Sequence, residues 1–126
     1  MAVKERYFSI VMIDIDPKVE AEFNKWYNEV HLPPVMACEG YISGMRLIAG
    51  DPSVSPRYAS VYEADSFEAF DSAAIQKVKG WGPFTDQVIY RQKRVLFKTA
   101  GPFLHKDEKG NVREAVGQSP IFRPDR

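Results

Sequence analysis

Polar and apolar side chains alternate early in the chain. Residues 6 to 15, Arg-Tyr-Phe-Ser-Ile-Val-Met-Ile-Asp-Ile, are rich in β-branched and aromatic types and end at Asp16-Pro17, which predicts a buried strand. The period then becomes helical. Val19, Phe23, Trp26, Tyr27 and Val30 form one apolar stripe, with Asp16 placed to cap the helix and Pro17 in its first turn. The helix is predicted over about 17 to 31, because Pro33-Pro34 disfavour helical geometry in the residue before them. At about 100° per residue, Phe23 and Val30 lie near the centre of the stripe and His31 towards its edge.

Gly40 to Ala49 and Arg57 to Ala64 read as strands of a hairpin joined by the turn-rich stretch Gly50 to Pro56. Phe67, Phe70, Ala74 and Val78 predict a second helix, with Asp65 or Ser66 as its cap and Gly80 as its stop. Trp81-Gly82-Pro83-Phe84 reads as an irregular connection and residues 88 to 98 as a last strand, with Arg91-Gln92-Lys93-Arg94 as its solvated polar positions. The βαββαβ order predicts an α+β, ferredoxin-like domain with a four-stranded antiparallel sheet over residues 1 to 98. Residues 99 to 126 lack periodicity and read as an extended tail, whose apolar points Phe103, Leu104, Ile121 and Phe122 pack on the domain or on a partner subunit.

Two helices cover only one face of such a sheet. Yet Tyr7, Val11 and Ile13 point to one side of the first strand, while Phe8, Ile10 and Met12 point to the other. A second copy of the chain is the economical cover, so a homodimer is expected.

At 126 residues the chain has the size of one domain. Lys plus Arg equals Asp plus Glu at 17 each, so no charge excess favours nucleic acid. No apolar run nears the roughly 18 residues of a membrane span, and no export signal is read at the N-terminus. With Cys38 as its single cysteine, the chain is expected in a reducing, cytoplasmic setting. Cys38 reads as a small buried hydrophobe. Metal-ligand spacings, phosphate loops and dinucleotide fingerprints are missing from the sequence, so no cofactor and no metal are expected. Asp14 and Asp16 do not make a cation site on their own. For His31 the residue pattern leaves two roles open: capping carbonyls ahead of the prolines, or facing the helix–sheet seam as an acid or base.

The stretch from Phe23 to Pro33, Phe-Asn-Lys-Trp-Tyr-Asn-Glu-Val-His-Leu-Pro, resembles the dimeric α/β-barrel superfamily, in particular its EthD-like branch. Gly40-Tyr41, and Trp81 to Asp86 ahead of a basic strand, are similar to the same branch. The resemblance, spanning about residues 6 to 98, implies two ferredoxin-like subunits joining their sheets into a barrel. It maps the family's histidine onto His31 and its aromatic helix positions onto Trp26 and Tyr27; the tail after residue 98 is a departure from it. The implied activity is a cofactor-independent lyase, isomerase or cyclase acting on a small hydrophobic carbonyl or phenolic compound. His31 would be the acid or base and Tyr27 would hydrogen-bond either it or a developing oxyanion, with Trp26, Tyr62, Trp81 and Phe84 as candidate pocket walls and Arg46 as a candidate anion anchor. A noncatalytic protein that binds a hydrophobic metabolite, and a haem-binding relative with His31 as axial ligand, are the alternatives.

Overall fold

The computed structural model describes residues 5–114. Ile121 and Phe122 of the expected tail lie outside the described residues. Strand β1 (Tyr7–Ile15) runs through the middle of an antiparallel sheet, between β3 (Tyr58–Ala64) and an edge made of β4 (Val88–Arg91) and β5 (Val95–Lys98). β2 (Tyr41–Ile48) closes the other edge beside β3, giving the order β2-β3-β1-β4. The fold is α+β with the strand order of a ferredoxin-like domain.

The last strand departs from the sequence expectation. It is two strands, so the sheet has five. Ile13 pairs with Arg91 and Ile10 with Val95, which leaves Gln92, Lys93 and Arg94 opposite only Val11 and Met12. One extra residue on the edge makes a bulge, and a bulge re-aims its side chains. The Arg94 guanidinium turns to the Phe70 carbonyl (3.0 Å) and the Asp71 carboxylate (2.9 Å), tying the bulge to the segment after β3.

The first helical run also differs. A 3₁₀ turn at Pro17–Val19, capped by the Asp16 carboxylate as expected, leads into α1 (Glu20–Trp26). A single π turn follows at Tyr27–His31, and α2 (Leu32–Met36) continues straight through Pro33 and Pro34. The prolines do not end the helix. They fall in the first turn of α2, where the missing amides would have served the carbonyls of Glu29 and Val30. Both residues are exposed, so water can take those carbonyls.

The second helical region is shorter than its periodicity suggests. A 3₁₀ turn at Phe67–Asp71 breaks at Ser72, which is extended (ψ 161°). The Ser72 hydroxyl then accepts from the Ile75 amide and starts α3 (Ala73–Val78), which ends before Gly80 at φ 98°. Neither Asp65 nor Ser66 acts as a side-chain cap.

Two clusters make up the core between helices and sheet. Ile13, Ile15, Phe23, Tyr27 and Tyr58 form one; Val35, Cys38, Tyr62, Ala64, Phe70 and Ile75 belong to the other. The opposite face of the sheet carries one buried ion pair. Arg6 and Glu63, 2% and 1% exposed, meet through two hydrogen bonds of 2.7 and 2.8 Å. The Phe103 ring lies 4.2 Å from the Arg6 guanidinium carbon and compensates for Nη1, which has no acceptor. Beyond Phe103 the described part of the tail forms a hairpin, β6 (Leu104–Lys106) with β7 (Val112–Glu114). No helix among the described residues is long and apolar enough to cross a membrane.

Candidate functional site

A cavity of about 500 Å³ lies between the helices and the sheet. Its floor is open because small side chains occupy the central strands where larger ones would fill the space: Ser9 and Val11 on β1, Ser60 on β3. Tyr27, His31, Val35 and Ile75 close it from the helical side, and Tyr41 and Tyr62 from the strands.

The π turn decides which side chains reach this space. Trp26 and His31 are five residues apart, which in a regular α-helix sets them about 140° apart around the axis. Here their rings stack, with centroids 5.0 Å apart and planes at 12°. Tyr27 meets His31 edge-on at 4.7 Å. The wider turn rotates His31 inward to 9% exposure and turns Val30 outward to 58%. The sequence expectation had Val30 near the centre of the buried stripe and His31 at its edge, because it carried a constant helical angle past Tyr27. Isolated π turns of this kind recur at functional sites.

No side-chain hydrogen bond among the described residues involves His31, and the side chain lines the cavity. Burial, and then the nearby Arg46 charge, hold the imidazole below its ordinary pKa. It is therefore a neutral base with a nitrogen lone pair at neutral pH. Beside it the Tyr27 and Tyr62 hydroxyls share a 2.6 Å hydrogen bond. Burial raises the Tyr62 phenol above the usual range and pushes Tyr41 up to about 12, so both stay protonated. Tyr62 can lie this close to β2 only because Gly44 has no side chain: a Cβ there would come within 2.7 Å of the Tyr62 ring and 2.8 Å of the Met36 sulfur.

The residues singled out in the sequence separate into two groups. Tyr27, His31, Tyr62 and Trp81 line the cavity; Trp26, Arg46 and Phe84 do not. Trp26 and Phe84 back the wall, at 5.6 Å from each other, and Gly82 at φ 47° lets the loop lie against the Trp26 indole. Arg46, named as an anion anchor, sits behind Tyr27, its guanidinium carbon 4.4 Å from the ring centroid, and donates to Asn24 (3.0 Å) and Asn28 (3.2 Å). A ligand in the cavity does not meet it. Cys38 is buried and donates weakly to the Pro34 carbonyl. Among the described residues no group of three or more His, Cys, Asp and Glu is placed to hold a metal ion.

Sequence reasoning missed the mouth of the cavity. Lys79, Arg91, Lys93 and Arg94 line it, with Asp71 as the one carboxylate. The Arg91 guanidinium lies over the Trp81 ring at 5.2 Å. Read as ordinary strand, the Arg91 to Arg94 stretch looks solvated; Arg91 reaches the cavity from its ladder position opposite Ile13, and the bulge adds Arg94 to the same side.

No protein-family model matches the chain, and no curated protein matches it significantly. Among solved structures it is similar to a dabb family protein with a ferredoxin-like fold from Mesorhizobium loti, at TM-score 0.53 and 10% identity over 77% of this chain and 97% of that one. At that identity the likeness extends to the fold alone.

Because the folded His31 resists protonation, the unfolded chain binds more protons between the folded pKa and the ordinary value near about 6.5. Stability contributed by His31 is therefore complete above that ordinary value and declines as pH falls through the window. Urea unfolding of the wild type and His31→Gln at a series of pH values should show this slope in the wild type and a shallower one in the variant. Parallel slopes would mean that His31 is not held neutral by the fold.

Proposed function

We propose that the chain is a cofactor-independent lyase, isomerase or cyclase acting on a small, largely hydrophobic carbonyl or phenolic compound. The observation that carries this reading is His31 itself: buried, neutral, unpartnered, and on the wall of a cavity next to a hydroxyl pair. A structural cap would spend its nitrogens on carbonyls, and among the described residues no side-chain hydrogen bond runs from His31 to a carbonyl. A cavity of about 500 Å³ lies within the size range of small-molecule sites, and its aromatic walls suit a flat apolar ligand.

In this mechanism the His31 lone pair takes a proton from a carbon next to the substrate carbonyl, or from a phenol, and becomes imidazolium. The electron pair left behind moves onto the carbonyl oxygen. Whichever way the hydrogen between Tyr27 and Tyr62 points, one hydroxyl hydrogen of the pair stays free to donate to that oxyanion. Imidazolium then returns the proton to a different atom, completing an isomerisation or ring closure without a redox step. Arg46, stacked under Tyr27, stabilises negative charge near that hydroxyl without touching the ligand.

The reading also places the chain in a homodimer of the dimeric α/β-barrel kind, in the EthD-like branch. Its support is the sheet face away from the helices. Phe8, Ile10, Met12, Met45 and Val61 lie there partly exposed, and Leu47, Val95 and Phe97 are 46%, 42% and 48% exposed. Phe103 covers only the Arg6 end. An apolar sheet face of this extent is covered in stable proteins, and a copy of itself is shape-matched by symmetry.

Two outcomes test this reading. His31→Gln should fold and lower the deuterium exchange of a bound ketone's α-hydrogens, or turnover of the identified substrate, by about 10² to 10⁴-fold. Unchanged rates would return His31 to a structural role and favour a protein that only binds its ligand. Sedimentation at micromolar concentration should give a dimer, and Phe97→Arg should dissociate it; a wild-type monomer contradicts the assembly.

A further inference from the structure

The cavity is chemically two-ended. Around His31 and the tyrosines it is apolar and aromatic, while at the mouth four cationic side chains face one carboxylate. Asp71 is taken by Arg94 at 2.9 Å. Among the described residues no carboxylate pairs with Lys79, Arg91 or Lys93, and each is exposed towards solvent at the mouth.

That placement is not a by-product of a basic protein, because the chain as a whole carries no net charge. The bulge spends an extra residue that lets Arg94 line the mouth beside Arg91 and Lys93. Like charges gathered without counter-charges repel one another, and an anionic ligand relieves that repulsion. Arg91 is also ordered on one side by the Trp81 ring, which leaves the edge of its planar fork free for a carboxylate.

Building on the function proposed above, we infer that the substrate is an aromatic or similarly hydrophobic acid whose carboxylate rests at the mouth on Arg91 and Lys93 while its reacting end reaches His31. The apolar body fills the space over Ser9, Val11 and Ser60. Charge at the mouth then sets the direction in which the ligand enters, and it separates an acid from its ester or amide. Arg91 and Lys93 are specificity-determining residues and take no part in the proton transfer.

The test is equilibrium binding, by calorimetry, of three acids and their methyl esters: benzoate, salicylate and 1-hydroxy-2-naphthoate. The best-bound acid should bind at least about tenfold more tightly than its ester, the size expected of two half-sheltered ion pairs, and about 0.5 M salt should erase most of that difference. The double variant Arg91→Gln/Lys93→Gln should lose the preference and keep ester affinity, whereas Lys77→Gln, outside the cavity on α3, should keep both. If no acid binds more tightly than its ester, or if the preference survives in the double variant, the inference is overturned. Since the readout involves no turnover, a failure of His31 as a base leaves this result standing, and the converse also holds.

Discussion

One residue more than an α-turn can hold, inserted between Trp26 and Leu32, sets which side chains the first helix presents to the cavity. The π turn lets Trp26 and His31 stack, moves His31 from the edge of the helix to the inside, and expels Val30 in its place. It also makes the two prolines tolerable by putting them in the first turn of a new α-segment. A helix of uniform pitch over the same sequence would bury a valine and expose the histidine. The cavity would then be a greasy gap with no base in it.

The sheet supplies the matching half of the site through subtraction and displacement. Ser9 and Ser60 leave room where leucines would close the core, and Gly44 lets Tyr62 slide beneath Met36 to meet Tyr27. At the far edge the extra residue opposite Val11 and Met12 aims cations at the same space. The π turn and the extra residue at the β4–β5 edge thus lie beside one cavity. Irregularities of this kind cost backbone hydrogen bonds, which is why they gather where function holds them.

Much of the fold was legible in the sequence because it rests on periodicity: the alternation of β1, the stripe from Val19 to Tyr27, the Asp16 cap and the Gly80 stop. The ferredoxin-like order follows from these elements. The departures share a physical cause. A constant period cannot register an inserted residue, so the π turn and the bulge at Gln92 to Arg94 were both invisible, and with them the outward turn of Val30 and the cationic mouth. The motif from Trp26 to Pro33 covers the stretch in which the π turn falls. Arg46, expected as an anion anchor, is instead enclosed behind Tyr27 by three aromatic rings and two asparagines, an arrangement its place in the sequence does not reveal.

The central claim is that the π turn places His31 against Trp26 and in the cavity, and proton NMR of the His31 ring reads it directly. An imidazole stacked on an indole is shielded by its ring current. The account predicts strongly upfield His31 ring resonances in the wild type, and their return towards free-histidine positions when the exposed Glu29 is deleted to restore a regular α-turn, with the far-ultraviolet circular dichroism retained. Wild-type His31 resonances at free-histidine positions, or upfield positions that persist in the deletion, would contradict it.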